Sequence, residues 1–184
     1  PLTFSNCEMD ACEMKIYDVR NWTFEKNRMN QGRIYFHPRA GRARFADNVF
    51  EDGAHRTIWV VSLGQDSLFE GNTYRDCSRT TFYVQNSREA PVRLRNERFD
   101  DNQVHIEIAS PIEAIIENCA FRAARSDRGP DIVAGTAAVR LRGCRFDRDA
   151  LVTVSGEGGV LSEDHNGVAG ETRTWGRKLP PAGK

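Results

Sequence analysis

The chain is poor in the features that identify most protein classes on sight. Its 26 Lys and Arg are balanced by 26 Asp and Glu, so no broad basic field is on offer to nucleic acid or an anionic membrane. Lysine is scarce: Lys15, Lys26, Lys178 and Lys184 are all there are. No apolar run is long enough to span a bilayer. The cysteines, Cys7, Cys12, Cys77, Cys119 and Cys144, are odd in number, which leaves at least one thiol unpaired. Cys7 and Cys12 lack the second ligand pair of a structural zinc site. No dense Asp/Glu cluster suits calcium, and no metal or cofactor is expected. Phosphate-cradling glycine loops, nucleophile elbows and zinc-protease helix motifs are missing. No signal-peptide pattern is visible; the sequence opens at Pro1, as a mature product, a trimmed chain or a piece of a longer one would. Amphipathic stretches of ten or more residues, which helical repeats require, do not occur between 16 and 155.

What the chain does have is a beat. A motif of apolar, any, Asn/Asp/Gly, any, any, aromatic runs from Val19 to Phe24, Phe45 to Phe50, Phe69 to Tyr74, Leu94 to Phe99, Ile116 to Phe121 and Leu141 to Phe146. Successive aromatics are 26, 24, 25, 22 and 25 residues apart, a period that denotes a repeat architecture. The third position holds Asn21, Asp47, Gly71, Asn96, Asn118 and Gly143. These residue types tolerate a left-handed backbone, so each motif reads as a sharp bend between two extended segments. Short period-two runs fill the rest: Val92-Arg93-Leu94, Ala114-Ile115-Ile116 and Val139-Arg140-Leu141 before the bends, and Ile34-Tyr35-Phe36, Ile58-Trp59-Val60, Phe82-Tyr83-Val84, Val104-His105-Ile106 and Val152-Thr153-Val154 after them. The expected fold is all-β: a single-stranded parallel β-helix, a solenoid of about six coils of 22–26 residues, with three short strands per coil.

On these motifs the chain resembles the right-handed parallel β-helix, or pectin-lyase-like, superfamily over roughly residues 16–155. The resemblance implies a two-residue bend joining the second and third sheets, often with a stacked Asn, a place Asn21, Asn96 and Asn118 would take here. It speaks clearly for the fold and hardly at all for a reaction.

Stacking makes equivalent residues neighbours about 4.8 Å apart. The residue before each bend reads Arg20, Ala46, Glu70, Arg95, Glu117, Arg142, and the residue after each aromatic Glu25, Glu51, Arg75, Asp100, Arg122, Asp147. Charge alternates along most of both rows, as favourable cross-strand pairs require. Cys119 and Cys144 are equivalent too; two stacked small thiols are favoured over a disulfide between coils. Asn21-Trp22-Thr23 matches a glycosylation sequon, a pattern that chance supplies often. At the start, Phe4 to Met9 resembles another copy of the motif, but Met9 lies only 15 residues before Phe24. Residues 1–15 are therefore expected to form an irregular cap or partial coil, with a short helix over 10–17. The solenoid is expected to end near Ser155, before Gly156-Glu157-Gly158-Gly159, and 156–184 to form a tail or cap.

The outward residues of the strands after the aromatic beat are Tyr35, Trp59, Tyr83 and His105. Stacking makes them a row of rings on the outer face of the first sheet, beside a row of His37, Val61, Gln85 and Glu107. In carbohydrate-active members of the superfamily, that sheet and its loops form the saccharide groove. Flat C–H faces of pyranoses stack on such rings, and contiguous exposed rings want a partner. The substrate-binding set expected here is Tyr35, His37, Trp59, Tyr83 and Gln85. His105 and Glu107, two apart on one strand, are the expected acid/base pair. Asp66, Asp52 and Asp76 are further carboxyls near the groove, whereas Asp100-Asp101 is claimed by the charge row. Hydrolysis needs two carboxyls across the scissile bond, and the motif sets of polygalacturonase-like hydrolases and alginate epimerases are absent. His55 and His165 fall in loops with no assignable role. The reading is a saccharide-binding or saccharide-processing β-helix, a polysaccharide lyase or glycoside hydrolase if it turns substrate over, in a secreted or cell-surface setting. The alternative is a non-catalytic structural or adhesion module, a spike, stalk or accessory domain of a larger protein; a third reading makes the ring row a protein interface, as in a homo-oligomer. Aromatics are common in strands whatever their task, and at protein interfaces. Rings exposed in a groove favour a glycan; rings buried under loops favour the structural role.

Overall fold

The structure is a computed structural model that describes residues 2–36, 42–53, 55–61, 67–85, 91–122 and 131–146, and the strand backbone at 152–153, 159–162 and 167–168. Three parallel sheets wrap one core, and each coil from Leu2 to Thr153 gives one strand to each. The second sheet stacks eight strands from Leu2–Ser5 to Gly159–Ser162, and the third eight from Glu8–Asp10 to Gly167–Val168. The first sheet stacks seven, from Glu13–Ile16 to Val152–Thr153. All pairings are parallel and join strands one coil apart. No described residue is helical.

The solenoid is longer than the six expected coils at both ends. Residues 2–16 are a complete three-strand coil, not a cap, and Glu13–Ile16 is a strand where a helix was expected. Beyond Ser155, Gly159–Ser162 still pairs with Ala138–Arg142 and Gly167–Val168 with Arg145–Phe146. The first coils were misread because they are shorter. Phe4 pairs with Phe24 and Met9 with Met29, a step of 20 residues. The true second copy of the motif is Phe24-Glu25-Lys26-Asn27-Arg28-Met29, so Phe24 lies before the bend and Met29 takes the aromatic's place.

From Phe50 on the beat is as expected. Phe50, Tyr74, Phe99, Phe121 and Phe146 form one interior column, with successive centroids 5.2, 4.8, 5.1 and 4.7 Å apart and planes within 13° of parallel. A second column, Phe24, Phe45, Phe69, Leu94, Ile116 and Leu141, lines the second sheet.

The bend residues are Asn6, Lys26, Asp47, Gly71, Asn96, Asn118 and Gly143, all at positive φ. Asn21 is instead the first residue of its strand. The stacked Asn row is not at the bend position, where Asn96 and Asn118 lie, but one residue later. There the Asn27 backbone N–H donates to Asn48 Oδ1 at 2.9 Å, that of Asn48 to Asn72 Oδ1 at 3.0 Å, and that of Asn72 to Glu97 Oε1 at 3.2 Å. Cys119 and Cys144 continue this row inward as free, buried thiols. The charge rows hold over the described residues with two corrections: Glu25, not Arg20, precedes the Lys26 bend, and Asn30 takes the place given to Glu25 in the second row. Arg95 meets Glu70 at 2.8 Å. Glu51 is held between Arg28, at 2.7 Å, and Arg75.

Candidate functional site

The register of the first sheet aligns Lys15, Tyr35, Trp59, Tyr83, Glu107 and Val133 in one outer row. Three of the four expected ring residues are therefore adjacent. Tyr35 and Trp59 are half-buried, and Tyr83 is only 6% exposed. The rings meet edge-on: Tyr35 and Trp59 at 5.0 Å and 84°, Trp59 and Tyr83 at 6.0 Å and 78°. The Arg56 guanidinium covers the Tyr83 face at 3.5 Å and stands 4.8 Å from the Trp59 centroid. The row is thus an interlocked stack roofed by a cation at Tyr83, open to a ligand at Tyr35 and Trp59.

His105 is not in that row. It is fully buried, with its ring 5.6 Å from Phe99 and 5.7 Å from Phe121. Strict alternation fails at this corner, where His105 and Ile106 in succession, like Thr81 and Phe82 one coil earlier, turn inward. The Cys77 backbone N–H donates to Asn102 Oδ1 at 2.9 Å, which fixes the amide so that Asn102 Nδ2 donates to His105 Nδ1 at 3.1 Å. Nε2 then carries the proton and donates to buried Asp131 Oδ1 at 3.2 Å. Glu107 keeps the outer face and accepts from Thr80 Oγ1 at 3.0 Å. The expected His105–Glu107 acid/base pair does not form, because the two side chains lie on opposite sides of the sheet wall.

Gln85 is half-buried just beyond the strand end, its N–H bonded to Val60 O at 2.8 Å. Its row does not include Glu107, since Val84 pairs with Ile108. His37, Asp66 and His165 lie outside the described residues. Asp52 and Asp76 are exposed bend residues at positive φ, and Asp52 Oδ2 accepts from Gln31 Nε2 at 2.8 Å. Among the described residues, no three of His, Cys, Asp and Glu gather as a metal site.

The concavity beside the ring row comes from unequal connectors. Only Gln31 and Gly32 join Arg28–Asn30 to Arg33–Phe36, whereas 52–57 join Val49–Glu51 to Ile58–Val60 and 76–79 join Thr73–Arg75 to Thr80–Val84. The two longer connectors bring His55, Arg56 and Arg79 up against Arg33, Trp59 and Thr80 around a cleft of about 320 Å³. His55 has positive φ, 68°. Arg33 is held by Glu13 at 2.9 Å. Sequence reasoning found Trp59 but missed these basic residues. The available signal was spacing: extra residues between the bend and the next strand in two successive coils, each insertion carrying an arginine.

A family model described as a right-handed β-helix region matches residues 2–146, which takes in every residue of the cleft and of the ring row. Searches of curated proteins and of solved structures found no match. With three parallel sheets, one strand per coil in each, and a family match over most of its length, this chain belongs to the right-handed β-helix family.

Proposed function

We propose that the protein is a saccharide-binding β-helix, and that a sugar chain lies along the outer face of the first sheet, in the cleft beside Tyr35 and Trp59. The observation that carries the reading is the cleft itself. Ligand sites are concave, with apolar rings to stack on and a few polar groups to orient. Here a cleft of about 320 Å³ is lined by Trp59, Thr80, His55 and three arginines. Binding is the activity this geometry supports best: with His105 in the core, it is not paired with Glu107 on the surface.

Trp59 reports on the proposal directly. Trp22 is buried in the core and Trp175 lies outside the described residues, so it is the disappearance of a glycan-induced change of indole fluorescence in Trp59→Ala that assigns the signal to the cleft. Trp59→Ala and Tyr35→Ala are each expected to weaken binding about tenfold, the scale of one lost ring contact. Product release, followed with the same glycans, separates binding from turnover. A broad glycan panel that leaves the fluorescence unmoved removes the reading.

A further inference from the structure

We infer that Cys119 and Cys144 are a peroxide-responsive pair, which closes into a disulfide and fastens the coil that begins at Glu113 to the coil that begins at Ala138.

The register brings the two residues together and keeps them there. Glu117 pairs with Arg142 before the turn and Ala120 with Arg145 after it, so Cys119 and Cys144 are level with each other on adjacent coils. The backbone is tied on both sides of them: Asn118 N–H donates to Arg142 O and Arg145 N–H to Cys119 O, each at 2.8 Å. Strand spacing sets their Cα atoms about 4.8 Å apart, inside the roughly 4.4–6.8 Å that a disulfide bridges. Gly143, at φ 60°, has no room for a Cβ against Asn118 Oδ1, so the two turns are in close contact beside the pair. Both side chains are 1% exposed, and both are free thiols in the structure. The bonds that a disulfide replaces are weak. Cys119 Sγ has Leu94 O at 3.8 Å and Glu117 O at 3.3 Å, and Cys144 Sγ has Ile116 O at 3.4 Å; a thiol is a poor donor to any of them.

The two thiols also divide the chemical roles. At Cys77, the other buried cysteine, burial pushes the thiol up. Cys144 goes the other way: a hydrogen bond from the Cys119 side chain, joined by one from the Cys119 backbone, outweighs burial and draws its thiol below the ordinary value. Burial and the same contact push Cys119 well up. Cys144 is therefore the first to lose its proton, and Cys119 keeps the S–H that steadies the thiolate, which is the reactive form. With both sulfurs buried the oxidant must be small, and hydrogen peroxide is close to water in size. The Cys144 thiolate attacks one peroxide oxygen, the O–O bond breaks, and hydroxide leaves and takes up the released proton as water. Cys144 then carries a sulfenic acid. Cys119 Sγ attacks Cys144 Sγ, the S–O bond breaks, and the hydroxyl leaves as water with the Cys119 proton. Both sulfurs are oxidised, both peroxide oxygens are reduced, and the products are a disulfide and two waters for each peroxide consumed.

The test is peptide mapping of the folded protein after treatment with hydrogen peroxide, followed by unfolding and alkylation of every remaining thiol. The expected product is a linked pair of peptides carrying Cys119 and Cys144, lighter by two hydrogens than the free peptides together and separated by dithiothreitol. Cys77, whose sulfur is bonded to Thr57 Oγ1, is expected to stay alkylatable. The crosslink closes a loop in the unfolded chain, so the oxidised protein should unfold at a higher urea midpoint, and dithiothreitol should reverse the rise. Cys119→Ala removes the second thiol: Cys144 is then expected to gain oxygen rather than a partner, with no reversible rise in the midpoint. If Cys119→Ala does not fold, mapping of the unaltered protein decides alone. Alkylation of both Cys119 and Cys144 after peroxide overturns the inference. So does linkage of either to another cysteine, or a Cys119–Cys144 link that forms only when urea is present during oxidation.

Discussion

At the scale of single residues, the least expected group is Glu97. It occupies a level of the inward row that Asn27, Asn48 and Asn72 fill in the coils before it. Each asparagine donates its Nδ2 to a carbonyl of the preceding coil: Asn27 to Phe4 O, Asn48 to Phe24 O and Asn72 to Phe45 O. Cys119 and Cys144 continue the pattern with Sγ donating to Leu94 O and Ile116 O. At Glu97 the equivalent carbonyl belongs to Phe69, and an ionised carboxylate has no proton to donate. A protonated acid does, and it still accepts from Asn72 through Oε1 at 3.0 Å. Burial pushes the Glu97 carboxyl up from 4.5 to about 8, although the nearby Tyr74 hydroxyl and the bonds from Asn72 pull it down. The Tyr74 hydroxyl is beside this carboxyl but has no aligned partner, and the same burial drives its own pKa well up. The sign follows from proton counts. Between pH 4.5 and about 8 the folded chain holds a proton on Glu97 that the unfolded chain has lost, so stability falls as pH rises through that window. Glu97→Gln supplies the same acceptor and donor without titrating. It is expected to be near neutral at pH 4 and to stabilise by about 2 kcal/mol near pH 9, read by urea unfolding at both pH values. Parallel pH profiles for the two proteins would contradict a buried, protonated Glu97.

At the scale of elements, the turn between the second and third sheets divides its work between two adjacent residues. The first takes positive φ and the second builds the inward row. Gly71 shows how tight the first position is: a Cβ there would come within 2.6 Å of Asp47 Oδ1. The second position is where stability resides. Asn48 Oδ1 accepts from the N–H and Nδ2 of Asn27, and its Nδ2 donates to Phe24 O and Asn72 Oδ1, at 2.8 to 3.1 Å. Asn48→Ala leaves the Asn27 N–H and the Phe24 carbonyl buried without these partners, an expected loss of about 2–4 kcal/mol in urea unfolding. Loss within the few tenths typical of a surface site would show that the row merely fills space. This division also explains what could be read from the sequence. Asp47, Gly71, Asn96, Asn118 and Gly143 announce the bend because their residue types tolerate it. Lys26 does so at φ 54° without any compositional cue, held by bonds to the next coil such as Lys26 N–H to Ala46 O at 2.9 Å. Asn21, three residues before an aromatic, imitated the pattern and shifted the reading of the first two coils.

At the scale of the whole molecule, every strand meets partners only one coil away, so stability is close to a sum over neighbouring coils. Periodicity revealed the stack because the interior repeats faithfully. The cleft was hidden because it arises where the repeat is broken, in connectors of unequal length whose Arg56 and Arg79 have no counterparts between Asn30 and Arg33. His105 was misplaced for a related reason: alternation holds along a strand but not around a corner. A stack of this kind should loosen from an end. In the first coil Phe4, Met9 and Met14 are only partly buried, whereas their column partners Phe24, Met29 and Ile34 are within 1% of complete burial. The amides of Glu8–Asp10 and Glu13–Ile16 bond to neighbours on one side alone, while those of Arg98–Asp100 and Thr80–Val84 lie between two strands. Native-state hydrogen exchange should therefore rise in protection from the first coil toward the fourth and fifth, by at least about a factor of ten, since opening an end coil costs one interface and opening a central one costs two. Uniform protection from Leu2 to Val84 would mean that the coils open together, and the neighbour-by-neighbour account of this solenoid would not hold.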